Sequence, residues 1–216
     1  MEFVSRLKNL FIDFLFPKSL RSIELEAFSV GEILDMCPQA TEIKEKNILA
    51  IFDYAHPVTK ELIWEVKYRG NKVLADKLAM IIYDVIKQEI FEKMTFKSVL
   101  LVPIPISNKR RSERGWNQAE MLAERVAALD KENLFKYLPG QLVKIVHTES
   151  QTKTGSRKER LENLKNSMEI LSASVVAGKC VVVIDDVTTT GATFAEAKRA
   201  LEQAGATKIL CLAIAH

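Results

Sequence analysis

The sequence predicts an α/β fold built on a doubly wound, mainly parallel sheet, with a small irregular N-terminal appendage. Short apolar runs of strand-like composition alternate with amphipathic helical segments, and the most apolar runs are continuous. A continuous apolar run is typical of a strand buried on both faces, as in a parallel sheet. We divide the chain into an N-terminal helix with a cysteine-poor appendage, residues 1–47, and a main domain, residues 48–216.

Composition excludes several classes of protein. The 216 residues include 31 basic and 28 acidic side chains, and a net charge of +3 does not by itself indicate nucleic-acid binding. Cys37, Cys180 and Cys211 form neither a CxxC pair nor a Cys/His cluster at zinc spacing, so we predict no metal held by protein side chains. The sequence also lacks a membrane-spanning apolar run and a signal-peptide pattern. We therefore expect a soluble, cytoplasmic protein.

The individual elements follow from hydrophobic periodicity. A short amphipathic helix is expected over residues 4–15, and residues 18–46 show no clear period, so we expect them to be irregular. Strands are predicted at residues 48–54, 98–104, 142–146, 180–184 and 208–215. Helices are predicted at residues 57–67, 73–91, 117–129 and 191–204, with Gly70 and Gly205 ending two of them.

The strongest functional signal follows the predicted strand at residues 180–184. Asp185 and Asp186 stand where this strand reaches the sheet edge, and adjacent carboxylates are unfavourable unless solvated, metal-bound or hydrogen-bonded. A threonine-rich turn with Gly191 then leads into a helix, which makes a cradle for phosphate. Acids beside an anion cradle suit a phosphorylated sugar. A plain polar turn with a threonine N-cap would not account for the paired acids.

Residues 181–193 resemble the signature with which type I phosphoribosyltransferases bind 5-phosphoribosyl-1-pyrophosphate (PRPP). The resemblance implies a type I phosphoribosyltransferase-like fold, with Asp185 and Asp186 at the ribose 2- and 3-hydroxyls. It also implies a loop around the 5-phosphate made of Thr189, Thr190, Gly191, Ala192 and Thr193. Thr188 stands where the signature usually has an apolar residue. Purine-salvage enzymes tend to have Asp at the place of Thr189, which argues against hypoxanthine or guanine as the acceptor.

Further stretches resemble the ComF family of competence-protein F relatives, also called amidophosphoribosyltransferase-like proteins. They are the Val-Pro-Ile-Pro run at 102–105, the Arg-Gly-Trp-Asn-Gln run at 114–118, the Lys-Tyr-Arg-Gly run at 67–70, and a polar stretch with Gln151, Arg160 and Asn163. Trp116 replaces the usual Phe. The family usually begins with a cysteine zinc ribbon, whereas here only Cys37 is left in that region, and one thiolate cannot hold zinc.

A pyrophosphate leaving group requires donors beyond the 5-phosphate loop, and Arg and backbone N–H groups suit it best. Candidates for the pyrophosphate and for a flap over the site are Pro103, Pro105, Arg114, Gly115, Arg157 and Arg160. Asp185, Asp186 and Arg160 are the candidate catalytic residues. The resemblance implies Mg²⁺, held mainly by PRPP oxygens and water. The predicted reaction is displacement of pyrophosphate from PRPP by a nitrogen acceptor that the sequence does not identify.

Two other functions stay open. ComF relatives are associated with natural transformation, so the chain could bind single-stranded DNA and a competence helicase through Arg110, Arg111 and Arg114. Trp116 would then stack on a base, although its position favours a packing role. A regulator that senses PRPP or a nucleotide without turnover is the third interpretation. No histidine has a partner that would form a nucleophilic triad.

Overall fold

A computed structural model describes residues 19–41, 43, 47–93, 99–145 and 166–216. The helices are α1 (Leu20–Ala27), α2 (Val30–Met36), α3 (Pro57–Trp64), α4 (Lys72–Lys93), α5 (Asn108–Arg114), α6 (Gln118–Leu129), α7 (Ala173–Val176) and α8 (Ala192–Gln203). A π-helical turn, Glu65–Arg69, directly follows α3. The strands are β1 (Ile48–Phe52), β2 (Val99–Pro103), β3 (Phe135–Tyr137), β4 (Leu142–Lys144), β5 (Met168–Ile170), β6 (Cys180–Val187) and β7 (Lys208–Ala215).

Five parallel strands form the central sheet in the order β1-β7-β6-β2-β3. The chain passes from β2 outward to β3 in one direction and from β6 to β7 in the other. The direction of winding therefore reverses between the neighbouring strands β2 and β6. In open α/β sheets, ligands bind beyond the carboxyl ends of the strands at such a reversal. The predicted parallel, doubly wound sheet is confirmed.

Both faces of the sheet are covered by helices, and β6 contributes to both cores. Val182 and Ile184 belong to the core that contains residues of α4 and α6, whereas Val181 and Val183 belong to the core that contains residues of α8. This alternation follows from the two-residue period of a strand. The fully apolar sequence of β6 up to Ile184 is thus explained by burial on two faces.

The expectation of irregular structure at residues 18–46 is wrong for the part that contains α1 and α2. Ser19 caps α1 by accepting the Ser22 N–H at 3.1 Å, and Ser29 forms a capping box with Glu32 at the start of α2. The buried apolar side chains of this region belong to the core with α4: Leu25, Ile33 and Cys37. The predicted helix at residues 4–15 lies outside the described residues, and the division at residue 47 stays a prediction.

A small antiparallel pair, β4 and β5, packs beside α8. The Met168 N–H donates to Glu196 Oε1 at 3.0 Å, and Arg199 donates to the Met168 carbonyl at 2.7 Å. Strand β4 corresponds to the predicted strand at residues 142–146, while β3, β5, α5 and α7 were not predicted. These four elements are short, so hydrophobic periodicity gives little signal for them.

The remaining predicted elements lie close to their expected positions. Gly70 has φ of 61° at the end of the π-helical turn, and Gly205 has φ of 86° after α8, as expected for left-handed residues that end helices. Across the described ranges, no helix combines the length and apolarity that crossing a bilayer would require.

Candidate functional site

Asp185 and Asp186 lie in β6 itself, close to its carboxyl end, rather than in the following loop. The alternation of the strand continues through them, so Asp186 lies on the α6 side of the sheet and Asp185 on the side of α8. Both carboxylates are largely buried, with 8% and 4% of their residue surfaces exposed. The pair therefore presents one acid to each face of the sheet at the reversal point.

Asp186 is held by two side chains from different elements. Lys67 Nζ lies 2.9 Å from Asp186 Oδ2, and Gln118 Nε2 donates to Asp186 Oδ1 at 3.3 Å. The backbone N–H of Asp186 donates to Asp185 Oδ1 at 2.9 Å. The ammonium of Lys67 thus balances charge in a pair of neighbouring acids that would otherwise repel each other.

The electrostatics of Asp185 reflect its burial. Burial raises the pKa of its carboxyl well above the ordinary value of 3.8, and the neighbouring charge of Asp186 raises it further, while Lys67 acts in the opposite direction. Lys144 of β4 lies close enough to Asp185 for their charges to interact. Its pKa is lowered by burial and by the charge of Arg110, against a raising effect from Asp185. Cations thus approach the acid pair from both faces of the sheet.

The turn from β6 to α8 has the geometry expected of an anion cradle. Gly191, the N-cap of α8, has φ of 71°, a conformation that favours glycine. The Ala192 N–H donates to Thr190 Oγ1 at 3.4 Å, and no side chain of the N-cap residue covers the helix end. Thr189 is exposed, and Thr190 and Thr193 are half-buried. Backbone N–H groups and threonine hydroxyls thus meet at the positive end of the helix dipole.

The turn after β2 lies beside this cradle. Pro103 is opposite Ile184 in the β2–β6 pairing, and the Ile104 N–H donates to the Ile184 carbonyl at 2.9 Å, directly before the acids. Pro105 follows in a half-buried position. The predicted pyrophosphate turn is therefore adjacent to Asp185 and Asp186, at the switch between β2 and β6.

Arg114 and Gly115 end α5 and lead into the site. Gly115 adopts φ of 85° as the C-cap of α5. Arg114 Nη1 donates to Gln118 Oε1 at 3.3 Å, and Gln118 in turn donates to Asp186. Arg114 is therefore linked to the acid pair through one side chain, whereas Lys109, Arg110 and Arg111 are exposed on α5. Of the basic residues predicted around this turn, Arg114 has the most direct connection to the acids.

Trp116 is a packing residue. Its ring lies against Gly70, and its Nε1 donates to the Val66 carbonyl at 3.2 Å. The side chain therefore joins the start of α6 to the π-helical turn that carries Lys67. These contacts agree with the interpretation of Trp116 as a packing residue.

Lys67 is a site residue that the sequence did not predict. In the sequence it is visible only as part of the Lys-Tyr-Arg-Gly run, and nothing local connects it with Asp186. Two other predictions, Arg157 and Arg160, lie outside the described residues with most of the polar stretch at 147–166, so their flap and catalytic roles stay predictions.

Comparison with known proteins shows the class of protein to which this chain belongs. Residues 119–216, which include β6, both acids and the threonine turn, match the family model for the phosphoribosyl transferase domain. The chain is also 30% identical over 169 residues to competence protein F of Haemophilus influenzae, a match that covers 76% of this chain and 69% of the relative. The chain belongs to the ComF family, as a protein with a phosphoribosyltransferase-like domain.

Other relatives agree with this family. Competence protein ComFC of Streptococcus pneumoniae is 30% identical over 158 residues, which cover 73% of this chain. The chain spans only 62% of the length of that relative. DNA utilization protein YhgH of Escherichia coli is 25% identical over 167 residues, covering 76% of this chain and 69% of the relative.

A solved structure of the allosteric regulatory enzyme of purine biosynthesis is 19% identical, with a TM-score of 0.43 over 70% of this chain and 30% of that one.

Proposed function

We propose that this protein binds PRPP and transfers its phosphoribosyl group to a nitrogen acceptor, with release of pyrophosphate. The observation that carries the proposal is the position of Asp185 and Asp186 in β6, next to the turn that begins α8 and at the reversal between β2 and β6. A crevice with acceptors for hydroxyls beside donors for a phosphate suits a sugar phosphate.

The parts of PRPP have separate partners in this arrangement. The carboxylates of Asp185 and Asp186 accept hydrogen bonds from the ribose hydroxyls. The 5-phosphate binds at the N-terminus of α8, where Gly191 permits close approach and the hydroxyls of Thr189, Thr190 and Thr193 add donors. The turn with Pro103 and Pro105 lies next to the acids and faces the remaining end of the ligand.

The reaction is a displacement at C1 of the ribose. The bond from C1 to the pyrophosphate oxygen breaks with its electron pair on pyrophosphate, and the acceptor nitrogen forms the new bond and loses a proton. Mg²⁺ would neutralise the leaving group. In the described part of the chain no group of three or more His, Cys, Asp or Glu side chains could hold a metal. Asp185 and Asp186 are the available carboxylates, so phosphate oxygens and water would supply most ligands of the ion.

Thermal unfolding with PRPP and Mg²⁺ tests the proposal. We expect PRPP to raise the melting temperature of the wild-type protein, because a ligand that binds only the folded state stabilises it. The double variant Asp185→Asn with Asp186→Asn should lose the increase. The double variant Asp35→Asn with Asp84→Asn removes two exposed acids from α2 and α4 and should retain it. Wild-type protein with no increase at millimolar PRPP contradicts the proposal. A screen of nitrogen acceptors for pyrophosphate release then identifies the substrate.

A second candidate function is binding of single-stranded DNA, and a row of aromatic and arginine side chains favours it. Trp64 and Tyr68 are 47% and 50% exposed, with ring centroids 5.8 Å apart. The guanidinium of Arg69 lies 5.4 Å from the centroid of Trp64, and that of Arg114 lies 4.9 Å from the centroid of Tyr68. Alternating aromatic and arginine side chains are typical of surfaces on which unpaired bases stack. Several relatives bear competence or DNA-utilization names.

Binding of a labelled oligonucleotide at several salt concentrations tests this candidate. Loss of stacking typically costs about 1–3 kcal/mol per base, so Trp64→Ala with Tyr68→Ala should weaken binding at least about tenfold. Leu171→Ala removes an exposed apolar side chain directly after β5, beside α8, and serves as the control. Substitution of Arg110 and Arg111 should instead reduce the dependence on salt. Equal affinity in wild type and the aromatic double variant rules out this row as the binding surface.

A further inference from the structure

The backbone around Lys67 is fixed on several sides. In the π-helical turn, the buried carboxylate of Glu65 accepts from Ser22 Oγ at 2.7 Å and from Asn71 Nδ2 at 3.3 Å. The next carbonyl, that of Val66, accepts from the Trp116 indole. The main chain therefore holds the Cα of Lys67 in place, and the four-carbon side chain is the part that can move.

The side chain of Lys67 lies at the boundary between the acids and solvent. It is 23% exposed, whereas that of Asp186 is 6% exposed, so the ammonium covers the carboxylate from outside. Arg114 lies on the same side, because it donates to Gln118, which donates to Asp186. Two cations are thus placed on the α6 side of the acid pair, whereas the threonine turn leads into α8 on the opposite face of the sheet.

We infer that Lys67 binds the pyrophosphate of PRPP, exchanging its contact with Asp186 for one with phosphate oxygens when the ribose hydroxyls reach the acids. This inference rests on the proposed function. Pyrophosphate is attached to C1, next to the 2-hydroxyl, and the 5-phosphate is at the other end of the ring. If the hydroxyls meet Asp185 and Asp186 and the 5-phosphate occupies the turn before α8, the pyrophosphate lies beside the acids, away from that turn.

Charge makes a cation necessary at this position. Pyrophosphate carries several negative charges and would be placed next to two carboxylates, an arrangement that is strongly repulsive without a cation between them. Among the residues that the structure describes, Lys67 forms an ion pair with these acids, at 2.9 Å from Asp186. A lysine is a mobile point charge with three donors, so it can serve a carboxylate and a phosphate in turn. When the C1–O bond breaks, the charge that develops on the leaving oxygen remains paired with the same ammonium.

Calorimetric titration with three probes tests the inference: ribose 5-phosphate, inorganic pyrophosphate and PRPP, each with Mg²⁺. Lys67→Met should weaken binding of pyrophosphate and PRPP by about tenfold to a hundredfold, as expected for loss of a charged hydrogen bond. Its affinity for ribose 5-phosphate should remain that of the wild type. Lys67→Arg keeps the charge and should bind pyrophosphate better than Lys67→Met. Lys60→Met removes an exposed lysine from α3 and should bind all three probes as the wild type does.

The outcomes separate the two proposals. If wild-type protein binds neither ribose 5-phosphate nor PRPP, the proposed function fails, and the role of Lys67 fails with it. If wild type binds them and Lys67→Met keeps its affinity for pyrophosphate, only the role of Lys67 is refuted. If Lys67→Met lost affinity for ribose 5-phosphate and for pyrophosphate to the same extent, the role of Lys67 would also be refuted. Lys67 would then act by positioning Asp186. Unfolding curves of each variant show whether the fold is retained.

Discussion

The indole ring of Trp116 lies so close to Gly70 that a Cβ atom at residue 70 would be 3.1 Å from two of its ring carbons. This contact joins the two motifs that were recognised separately in the sequence, Lys-Tyr-Arg-Gly and Arg-Gly-Trp-Asn-Gln. It places the turn that carries Lys67 against the start of α6, where Gln118 reaches Asp186. A packing contact thus brings together side chains that bind the same carboxylate.

Gly70→Ala should therefore be strongly destabilising. Residue 70 has φ of 61°, and a non-glycine residue in this conformation costs about 1–2 kcal/mol. The new methyl group would in addition require the indole to shift by a few tenths of an ångström, which strains its hydrogen bond to the Val66 carbonyl. Urea denaturation measures the loss. Gly140→Ala is the matched control, because Gly140 has φ of 69° and a Cβ at that position would meet no atom within 4 Å. Equal losses for the two variants would show that the contact with Trp116 contributes nothing.

Asn117 has two separate contacts, and its variants should distinguish them. Its Oδ1 accepts the Ala119 N–H at 3.0 Å as the N-cap of α6, and its Nδ2 donates to the buried Ile104 carbonyl at 2.9 Å. Asn117→Ala loses both and should lower the free energy of unfolding by about 2 kcal/mol, the sum expected for a cap and a buried hydrogen bond.

Asn117→Asp keeps the cap and replaces the donor with a carboxylate that faces the Ile104 carbonyl. We expect it to be no more stable than Asn117→Ala in the same denaturation experiment, because a buried acid without a donor is unfavourable. Asn117→Asp with wild-type stability would show that the contact with Ile104 is unimportant and that Asn117 acts only as a cap.

Local patterns were sufficient to predict much of this structure. The apolar runs of β2, β6 and β7 were assigned correctly because burial on both faces leaves a direct compositional signal. The ends of two helices followed from Gly70 and Gly205, since glycine is the residue that most readily adopts positive φ. Helix α2 was missed although its capping box, Ser29 with Glu32, is also a local signature.

The site residues that the sequence did not predict come together only through the tertiary structure. Asp185 and Asp186 were recognised because they are adjacent in sequence. Lys67 and Gln118 approach Asp186 from two other segments, and no spacing rule connects them before the sheet order is known. The alternation that sends the two acids to opposite faces could be predicted only once the strand was known to continue through them.

The pH dependence of stability should depend on Asp185. Burial, followed by the charge of Asp186, raises its pKa in the folded protein well above 3.8, so the folded state keeps a proton that the unfolded state has lost. The stability that this group contributes is present below its pKa in the unfolded state. It is lost as the pH rises through its pKa in the folded state. Asp185→Asn cannot lose that proton. Its free energy of unfolding, relative to wild type, should therefore increase as the pH rises from 3.8 toward the raised pKa of Asp185 in the folded state.

Denaturation of wild type and Asp185→Asn across this range makes the comparison, with Asp84→Asn, at an exposed position of α4, as the control. A constant difference between Asp185→Asn and wild type would mean that Asp185 has the same affinity for a proton in both states. Because Asp185 loses its proton as the pH rises, a ligand that requires its carboxylate form should bind more tightly at higher pH.

The last prediction concerns how α1 supports the site. Ser22 Oγ donates to Glu65 Oε2 at 2.7 Å, and both residues are buried, at 1% and 4% exposure. Ser22→Ala removes a donor from a buried carboxylate and should cost about 1–3 kcal/mol in unfolding free energy. Ser174→Ala, which alters an exposed hydroxyl in α7, is the control. In Glu65→Gln protein the carboxylate is already absent, so adding Ser22→Ala should cost less. An equal cost in both backgrounds would show that the two side chains are not coupled and that α1 supports the Lys67 turn only through apolar packing.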